Sequence, residues 1–394
     1  MAAERIVIVG GGVVGSSIAW HLRTGGCRAE VTVVERDPTY RRASSRLAMG
    51  GIRQQFSSAA NIRLAQHSVR FYERFDAAMQ APGHRPRAWF RQRGYLFLAD
   101  DATAERFERR YARQRALGAR VERLDVAAIR ALVPDLALDD IRFGLFGPDD
   151  GYANPREVLA GFRHAAAAAG ATYVSGEVTR VRTMGGRVRG VTLAGGASMD
   201  ARAVVNAAGP FAARLAALAD LDLPVTPVRQ HLFRCALPRR WPHRFPVVID
   251  PGGVHWRHDD PLDPGDPDRI IVARTRHDEP PGENFECDRA RWASDFRPPL
   301  VARLPAFAAA ELVEGWAGLY EMTPDHNPLL GEHPELAGFY LANGFSGHGL
   351  MLAPATGAAL ADLLATGASS RLDISAFDPG RFARGEAFHD DALI

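Results

Sequence analysis

Residues 5–35 read RIVIVGGGVVGSSIAWHLRTGGCRAEVTVVE, and this stretch decides the fold. Arg5 to Val9 is a short run rich in β-branched residues, the pattern of a strand buried on both faces. Gly10, Gly12 and Gly15 follow with G-x-G-x-x-G spacing. The first Gly permits the tight turn, the second lets a pyrophosphate approach the backbone, and the third lets helix and strand pack closely. A helix from about Val13 to Thr24 then aims its N-terminal amides at that phosphate. A second strand, Val31 to Val34, ends at Glu35, about 20 residues beyond the last Gly, where a carboxylate accepts from ribose hydroxyls. Strand, turn, helix, strand and acid together predict dinucleotide binding. The acid disfavours a 2′-phosphate, which leaves NAD or FAD ahead of NADP.

The 394 residues exceed what one core holds, so two closely built domains are expected. With 46% hydrophobic and 24% charged residues the composition is that of a globular protein. A net charge of +2 provides no electrostatic case for nucleic acid or an acidic membrane surface. Cys27, Cys235 and Cys287 lie far apart with no metal or redox spacing, which suits a reducing cytoplasm. The apolar N-terminus lacks a basic lead and carries the nucleotide glycines, so a signal peptide is not expected. No run of about 18 apolar residues stands out, so no membrane span is expected. All 48 residues in the Lys+Arg class are Arg. A Walker A lysine, a Schiff-base lysine and a Lys general base are thereby excluded.

Further along, Ala43 to Phe56 (ASSRLAMGGIRQQF) is a small-residue loop whose Gly50–Gly51 pair lets the backbone run against something flat. Ser57 or Ser58 caps a helix with apolar Ile62, Ala65, Val69, Tyr72 and Phe75 at helical spacing. Asn154-Pro155 starts another helix. Val204-Val205 runs into Asn206-Ala207-Ala208-Gly209-Pro210, a second small-residue turn. From Val225 to about Leu312, strand-like pieces separated by Pro/Gly/Asp turns predict an antiparallel sheet. Asp288 to Leu304 reads as a helical segment interrupted at Pro298-Pro299. Phe339 to Ala342, the loop NGFSGHG (343–349) and a helix over Met351 to Leu364 repeat the opening strand–Gly–helix grammar. A second such unit brings both ends of the chain to one large cofactor, with a second helix N-terminus available to an anion. FAD fits this better than NAD. The charged tail after Gly367 is expected to wrap the surface loosely.

Four pieces carry a family resemblance: GGGVVGSSIAWHL with Glu35; SSRLAMGGIRQQFS; VVNAAGPF; and GLYEMTPDHNPLLGE followed by NGFSGHGLMLAPATG. The chain resembles the FAD-dependent amine and amino-acid oxidoreductases of the D-amino-acid oxidase/sarcosine oxidase type, sarcosine oxidase β-subunit-like members above all. The resemblance implies an α/β fold with a discontinuous Rossmann-type FAD-binding domain (1–90, 150–222, 313–394). It also implies an α+β substrate domain with an antiparallel sheet (91–149, 223–312). Gly10, Gly12 and Gly15 would hold the pyrophosphate and Glu35 the ribose. Ser44 and Ser45 would lie along the pyrophosphate and flavin, Val178 would receive the adenine, and the Gly347-His348-Gly349 turn would sit at the flavin N1/O2 end. Arg36, Gly50, Gly51, Ala208, Gly209, Gly344 and Met351 complete the candidate cofactor set. Monomeric sarcosine oxidases attach FAD through a Cys where this chain has Gly318, so non-covalent FAD is implied. Their lysines for oxygen activation and for the substrate carboxylate are absent, Met351 standing at the second position. Oxygen or an electron carrier is therefore the acceptor.

The expected chemistry is oxidation of the C–N bond of a small amino acid or secondary amine, sarcosine-, proline- or D-amino-acid-like. Hydride passes to flavin N5 and the resulting imine hydrolyses. Arg53 is the candidate for the substrate carboxylate, since a planar fork suits it. Tyr320 is a candidate pocket wall, and His348 is a candidate to polarise the flavin edge or help accept a proton. His277 is a weaker candidate from the sheet. Asp325-His326 reads as a loop that caps a strand end, and Phe233, Trp241 and Trp256 read as core or interface. A small-molecule amine, a homo- or hetero-oligomeric assembly, and an alternative role as an FAD-containing assembly factor or oxidase subunit with little turnover all stay open.

Overall fold

The computed structural model describes residues 4–237, 241, 244–259, 268–274 and 278–390; His277 lies outside them. Two large sheets organise the chain. The first has six strands in the order Leu329–Glu332, Phe339–Asn343, Ala203–Asn206, Arg5–Val9, Glu30–Glu35, Thr172–Ser175. All neighbours are parallel except the antiparallel first pair. Ile6, Val7 and Ile8 are fully buried, as their unbroken apolar run requires. The helix Val13–Thr24 crosses one face and packs on Gly349–Thr366 and Pro155–Ala168. Ser17 Oγ donates to the Ala353 carbonyl at 2.8 Å, and a Cβ on Gly357 would overlap Ser17, so the two helices approach closely. The helix Gly349–Thr366 has 18 residues and a mean hydropathy of 1.4, long and apolar enough to cross a membrane. It corrects the expectation of no such run; 72% of it is buried against other elements, as in a core helix.

The second sheet has eight strands in the order Glu311–Met322, Thr226–Ala236, Arg269–Arg274, Val254–Asp259, Val247–Ile249, Tyr95–Ala99, Phe143–Gly147, Glu122–Leu124. All its pairs are antiparallel except Val247–Ile249 with Tyr95–Ala99. The expected bounds place residues 313–394 in the cofactor domain, but Glu311–Met322 pairs along its length with Thr226–Ala236 in this sheet. Ladder hydrogen bonds over that whole span outweigh its place in the chain order. Phe233 and Trp256 are fully buried and Trp241 packs on the same core.

Two other expectations change. Pro298 and Pro299 do not interrupt a helix; they open Arg297–Arg303, directly after a π-helical Trp292–Phe296. At a helix start the missing N–H has no partner to lose. The tail is also not loose. Asp390, 2% exposed, accepts from Ser57 N, Ser57 Oγ and Ser58 N, each at 2.9 Å, and from Asn61 Nδ2 at 3.0 Å. Its carboxylate therefore sits at the N-terminus of Ala59–Tyr72, the positive end of the helix dipole, beside the expected cap, Ser58, which accepts from Asn61 N. Arg381 is buried with Asp325.

Candidate active site

A cavity of about 1510 Å³ runs between the two sheets, larger than the roughly 300–1,000 Å³ of common small-molecule clefts. The carboxyl ends of the six-stranded sheet form one wall, where ligands collect in open parallel sheets. The other wall comes from the eight-stranded sheet. Of the candidate cofactor residues, Gly10, Gly12, Glu35, Arg36, Ser44, Ser45, Gly50, Gly51, Val178, Ala208, Gly209, Gly347, Gly349 and Met351 line it. Gly15 and Gly344 do not. Gly15 packs on the turn, where a Cβ would overlap the Gly10 carbonyl oxygen. Gly344 spends its N–H on Glu321 Oε2 at 3.0 Å.

The nucleotide wall is built locally. Gly10 has φ +105°, and a Cβ there would overlap the Ala207 carbonyl oxygen, so only Gly fits. Gly10 N–H donates to the Val34 carbonyl at 2.9 Å, which ties the turn to the second strand. Glu35 Oε2 accepts from Gly11 N and Oε1 from Asp37 N, both at 2.8 Å. Burial pushes its carboxyl up, against those two amides, and each oxygen keeps a further lone pair for a ribose hydroxyl. Ser45 Oγ accepts from Val13 N at 3.0 Å at the helix start, and the Arg36 guanidinium lies 3.6 Å from the Phe211 ring centre. The segment holding Ser44 to Gly51 is laced to the opposite sheet: Ser44 Oγ to the Leu319 carbonyl at 2.7 Å, Trp316 Nε1 to the Leu47 carbonyl at 2.9 Å, and Arg257 Nε to the Met49 carbonyl at 2.7 Å.

The three candidate catalytic residues come together at one end. Arg53 is 1% exposed and lines the cavity with His348 and Tyr320. Its Nη1 donates to the Gln55 carbonyl at 2.6 Å and its Nη2 lies 3.2 Å from His348 Nε2. A guanidinium only donates, so His348 Nε2 accepts and the ring proton sits on Nδ1. The guanidinium also lies over Phe56 at 4.3 Å. Burial, with Arg53 beside it, lowers the His348 pKa to about 3. The ring is neutral and its accepting nitrogen is engaged by Arg53, an arrangement that suits orienting Arg53 better than accepting a proton. The Tyr320 ring packs on Gly347, whose φ is +97° and whose Cβ would lie 2.5 Å from that ring.

Four neighbours escaped the sequence reading. The Tyr95 hydroxyl rests on Gly51, where a Cβ would overlap it, and Tyr95, Gln230, His255 and Glu321 all line the cavity. They stand on strands without a local motif. Glu321 is the exception in kind: the GLYEM string placed it one residue after Tyr320. Burial raises its pKa to about 7, against the Gly344 and Phe345 amides that bond it.

A model of the family "DAO: FAD dependent oxidoreductase" matches residues 5–363. This chain belongs to that FAD-dependent oxidoreductase family. It is 32% identical over 414 residues to FAD-dependent oxidoreductase domain-containing protein 1 of Xenopus laevis, covering 96% of this chain and 82% of the relative. Glycine oxidase of Geobacillus kaustophilus is 30% identical over 370 residues, with 91% and 92% covered. Among solved structures, L-proline dehydrogenase from P. horikoshii superposes with a TM-score of 0.87 at 29% identity, covering 97% of this chain and 98% of that one.

FAD is thus the cofactor of this DAO-family chain, and the residues present fit it. Gly10, Gly12, Gly50 and Gly347 line the cavity with bare backbone, and at Gly10, Gly50 and Gly347 a Cβ would overlap the Ala207 carbonyl, the Ala153 carbonyl and the Tyr320 ring. The N-terminus of the 12-residue helix Val13–Thr24 opens on the cavity, where it would hold the diphosphate. Glu35, on the cavity wall, would offer its acceptors to the ribose. Glu321 clamps the Gly344–Phe345 turn, so its protonation reaches the stability of that turn. Its folded pKa lies above the ordinary 4.5, so its contribution is complete below about pH 4.5 and is lost as pH rises through about 7. The Glu321→Gln variant is expected to show a flatter urea midpoint between pH 5 and 8 than the parent; equal slopes would count against this.

Proposed function

We propose that this FAD-dependent oxidoreductase oxidises the C–N bond of a small amino acid or secondary amine that carries a carboxylate. The observation that supports this most is Arg53, a buried cation on the cavity wall, held by the Gln55 carbonyl and oriented through His348. A substrate carboxylate is the anion that a planar fork takes best. Bound flavin supplies the two-electron oxidation. The chain's own part is to bind the carboxylate at Arg53, to pack the carbon skeleton against Tyr320, Tyr95 and Trp316, and to keep water from the reacting carbon. Tyr95 and Tyr320 stay neutral, since burial raises both phenols.

We read the FAD as non-covalent. Gly318 offers no thiol, and Cys287, which reaches the cavity wall, is kept as the unreactive thiol by burial. The electron acceptor is oxygen or a carrier; relatives named an oxidase and a dehydrogenase both resemble the chain.

Anaerobic mixing of the holoprotein with glycine, sarcosine, proline and D-amino acids tests the reading. Bleaching of the flavin absorbance by at least one of them is expected. No bleaching by any carboxylate-bearing amine would sink it. Reoxidation in air within a turnover separates oxidase from dehydrogenase.

A further inference from the structure

His255 stands on the strand Val254–Asp259 and is 8% exposed on the cavity wall. Its Nδ1 lies 3.1 Å from the Gly253 carbonyl oxygen. A carbonyl only accepts, so Nδ1 carries the ring proton and Nε2 presents a bare lone pair. Among the described residues nothing donates to that nitrogen. Burial, together with Arg53 in electrostatic reach, lowers the His255 pKa to about 4. The ring is neutral at physiological pH and offers an acceptor only.

We propose that His255 Nε2 accepts the N–H of the substrate amine, which makes the site selective for primary and secondary amino acids over tertiary ones. The inference rests on the carboxylate-bearing amine reading above. With the carboxylate held by Arg53, the amine must be neutral for its C–N bond to be oxidised. A neutral primary or secondary amine still carries an N–H. Leaving that donor unpaired on the cavity wall is unfavourable. Leaving the acceptor unpaired is unfavourable as well. The two groups satisfy each other: the fork of Arg53 reads the carboxylate, and the imidazole lone pair reads the N–H. A neutral tertiary amine has no N–H, and its added alkyl group would face a bare acceptor. A site built to bond an N–H rejects the analogue that lacks it.

Two ligands of one shape test this: pyrrole-2-carboxylate, with a ring N–H, and furan-2-carboxylate, with a ring oxygen in its place. Each is titrated into the FAD-loaded protein, and binding is read from the perturbation of the flavin absorbance. The parent is expected to bind the pyrrole about 10-fold more tightly, the worth of one such hydrogen bond. In His255→Leu the ratio should fall to near one. In His255→Gln, whose side-chain carbonyl still accepts, part of the preference should survive, and retained FAD absorbance in both variants reports an intact fold. Equal affinities in the parent, or an undiminished preference in His255→Leu, would overturn the assignment. Flavin reduction by proline alongside equal affinities would overturn the role of His255 alone. A pyrrole preference that His255→Leu abolishes, in a protein whose flavin no amine reduces, would sink the oxidation reading and leave this assignment standing.

Discussion

Replacing Arg53 by Leu is expected to lower kcat/KM for a carboxylate-bearing amine by roughly two to three orders of magnitude, while the FAD content stays that of the parent. Removing one partner of a buried, hydrogen-bonded charge pair costs about 2–5 kcal/mol, and each 1.36 kcal/mol is about tenfold in rate. Two to three orders are about 2.7–4.1 kcal/mol, and Arg53 has the attributes that place it there. It is 1% exposed, its Nη1 and Nη2 are fixed by Gln55 and His348, and Phe56 and Phe97 flank its guanidinium at 4.3 and 5.4 Å. A cation held this firmly loses little entropy when it takes a carboxylate. Arg53→Lys should recover only part of the loss, because an ammonium keeps the charge and not the fork. Stopped-flow reduction of the flavin at varied amine concentration is the measurement. An unchanged limiting rate and apparent affinity in Arg53→Leu would remove Arg53 from substrate binding. The effect should be confined to substrates with a carboxylate.

Replacing Asp325 by Asn is expected to destabilise the protein by about 3–5 kcal/mol, the range for removing one member of a buried ion pair. Asp325 and Arg381 have side chains 0% and 2% exposed. They meet in a two-pronged bond, Nε to Oδ2 and Nη2 to Oδ1, both 2.8 Å. Arg381 also donates to the carbonyls of Asn327 and Pro328 at 2.9 and 3.0 Å. Removing the charge on Asp325 would strand a guanidinium in the interior. The same pair predicts a pH dependence. Burial pushes the Asp325 carboxyl up, but the bonds from Arg381 and the Asn327 amide outweigh it and hold the group below its usual 3.8. Its stabilisation is therefore complete above the ordinary carboxylate value and is lost as pH falls through the depressed folded value. Urea midpoints for parent and Asp325→Asn should differ most near neutrality and converge in acid. A constant difference down to pH 3, or none at pH 7, would show that the pair does not tie the C-terminal tail to the loop at residues 323–328.

Gly10, Gly12 and Glu35 were readable because a nucleotide turn is a local device: strand, turn, helix and second strand close on one another within 31 residues. Ser44, Ser45 and Gly51 emerged by resemblance, since by composition alone their stretch reads as an ordinary loop. Arg53 emerged only by resemblance, because among 48 arginines nothing in its neighbours sets it apart. Tyr95 and His255 gave no signal at all. Each stands on an ordinary strand of the second sheet, and a side chain's face on that sheet depends on pairing with strands far away in sequence. The tail misled for the same reason. Arg381 and Asp390 look like surface charges until Asp325, 56 residues away, and Ser57, 333 residues away, are folded against them.

By itself, the sequence determined the nucleotide turn and its acid, the alternation of α/β and antiparallel segments, the absence of lysine chemistry, and the strand–Gly–helix unit near the C-terminus that pointed to a large cofactor. These are properties of short segments, set by backbone sterics and by hydrogen bonds a few residues apart. Only the tertiary structure decided that Glu311–Met322 joins the second sheet, that His348 Nε2 meets Arg53, and that His255, protonated at Nδ1, lines the cavity. Those depend on which distant groups share a low-dielectric interior, where one neighbouring guanidinium or carbonyl settles the protonation of an imidazole. No stretch of chain encodes that alone.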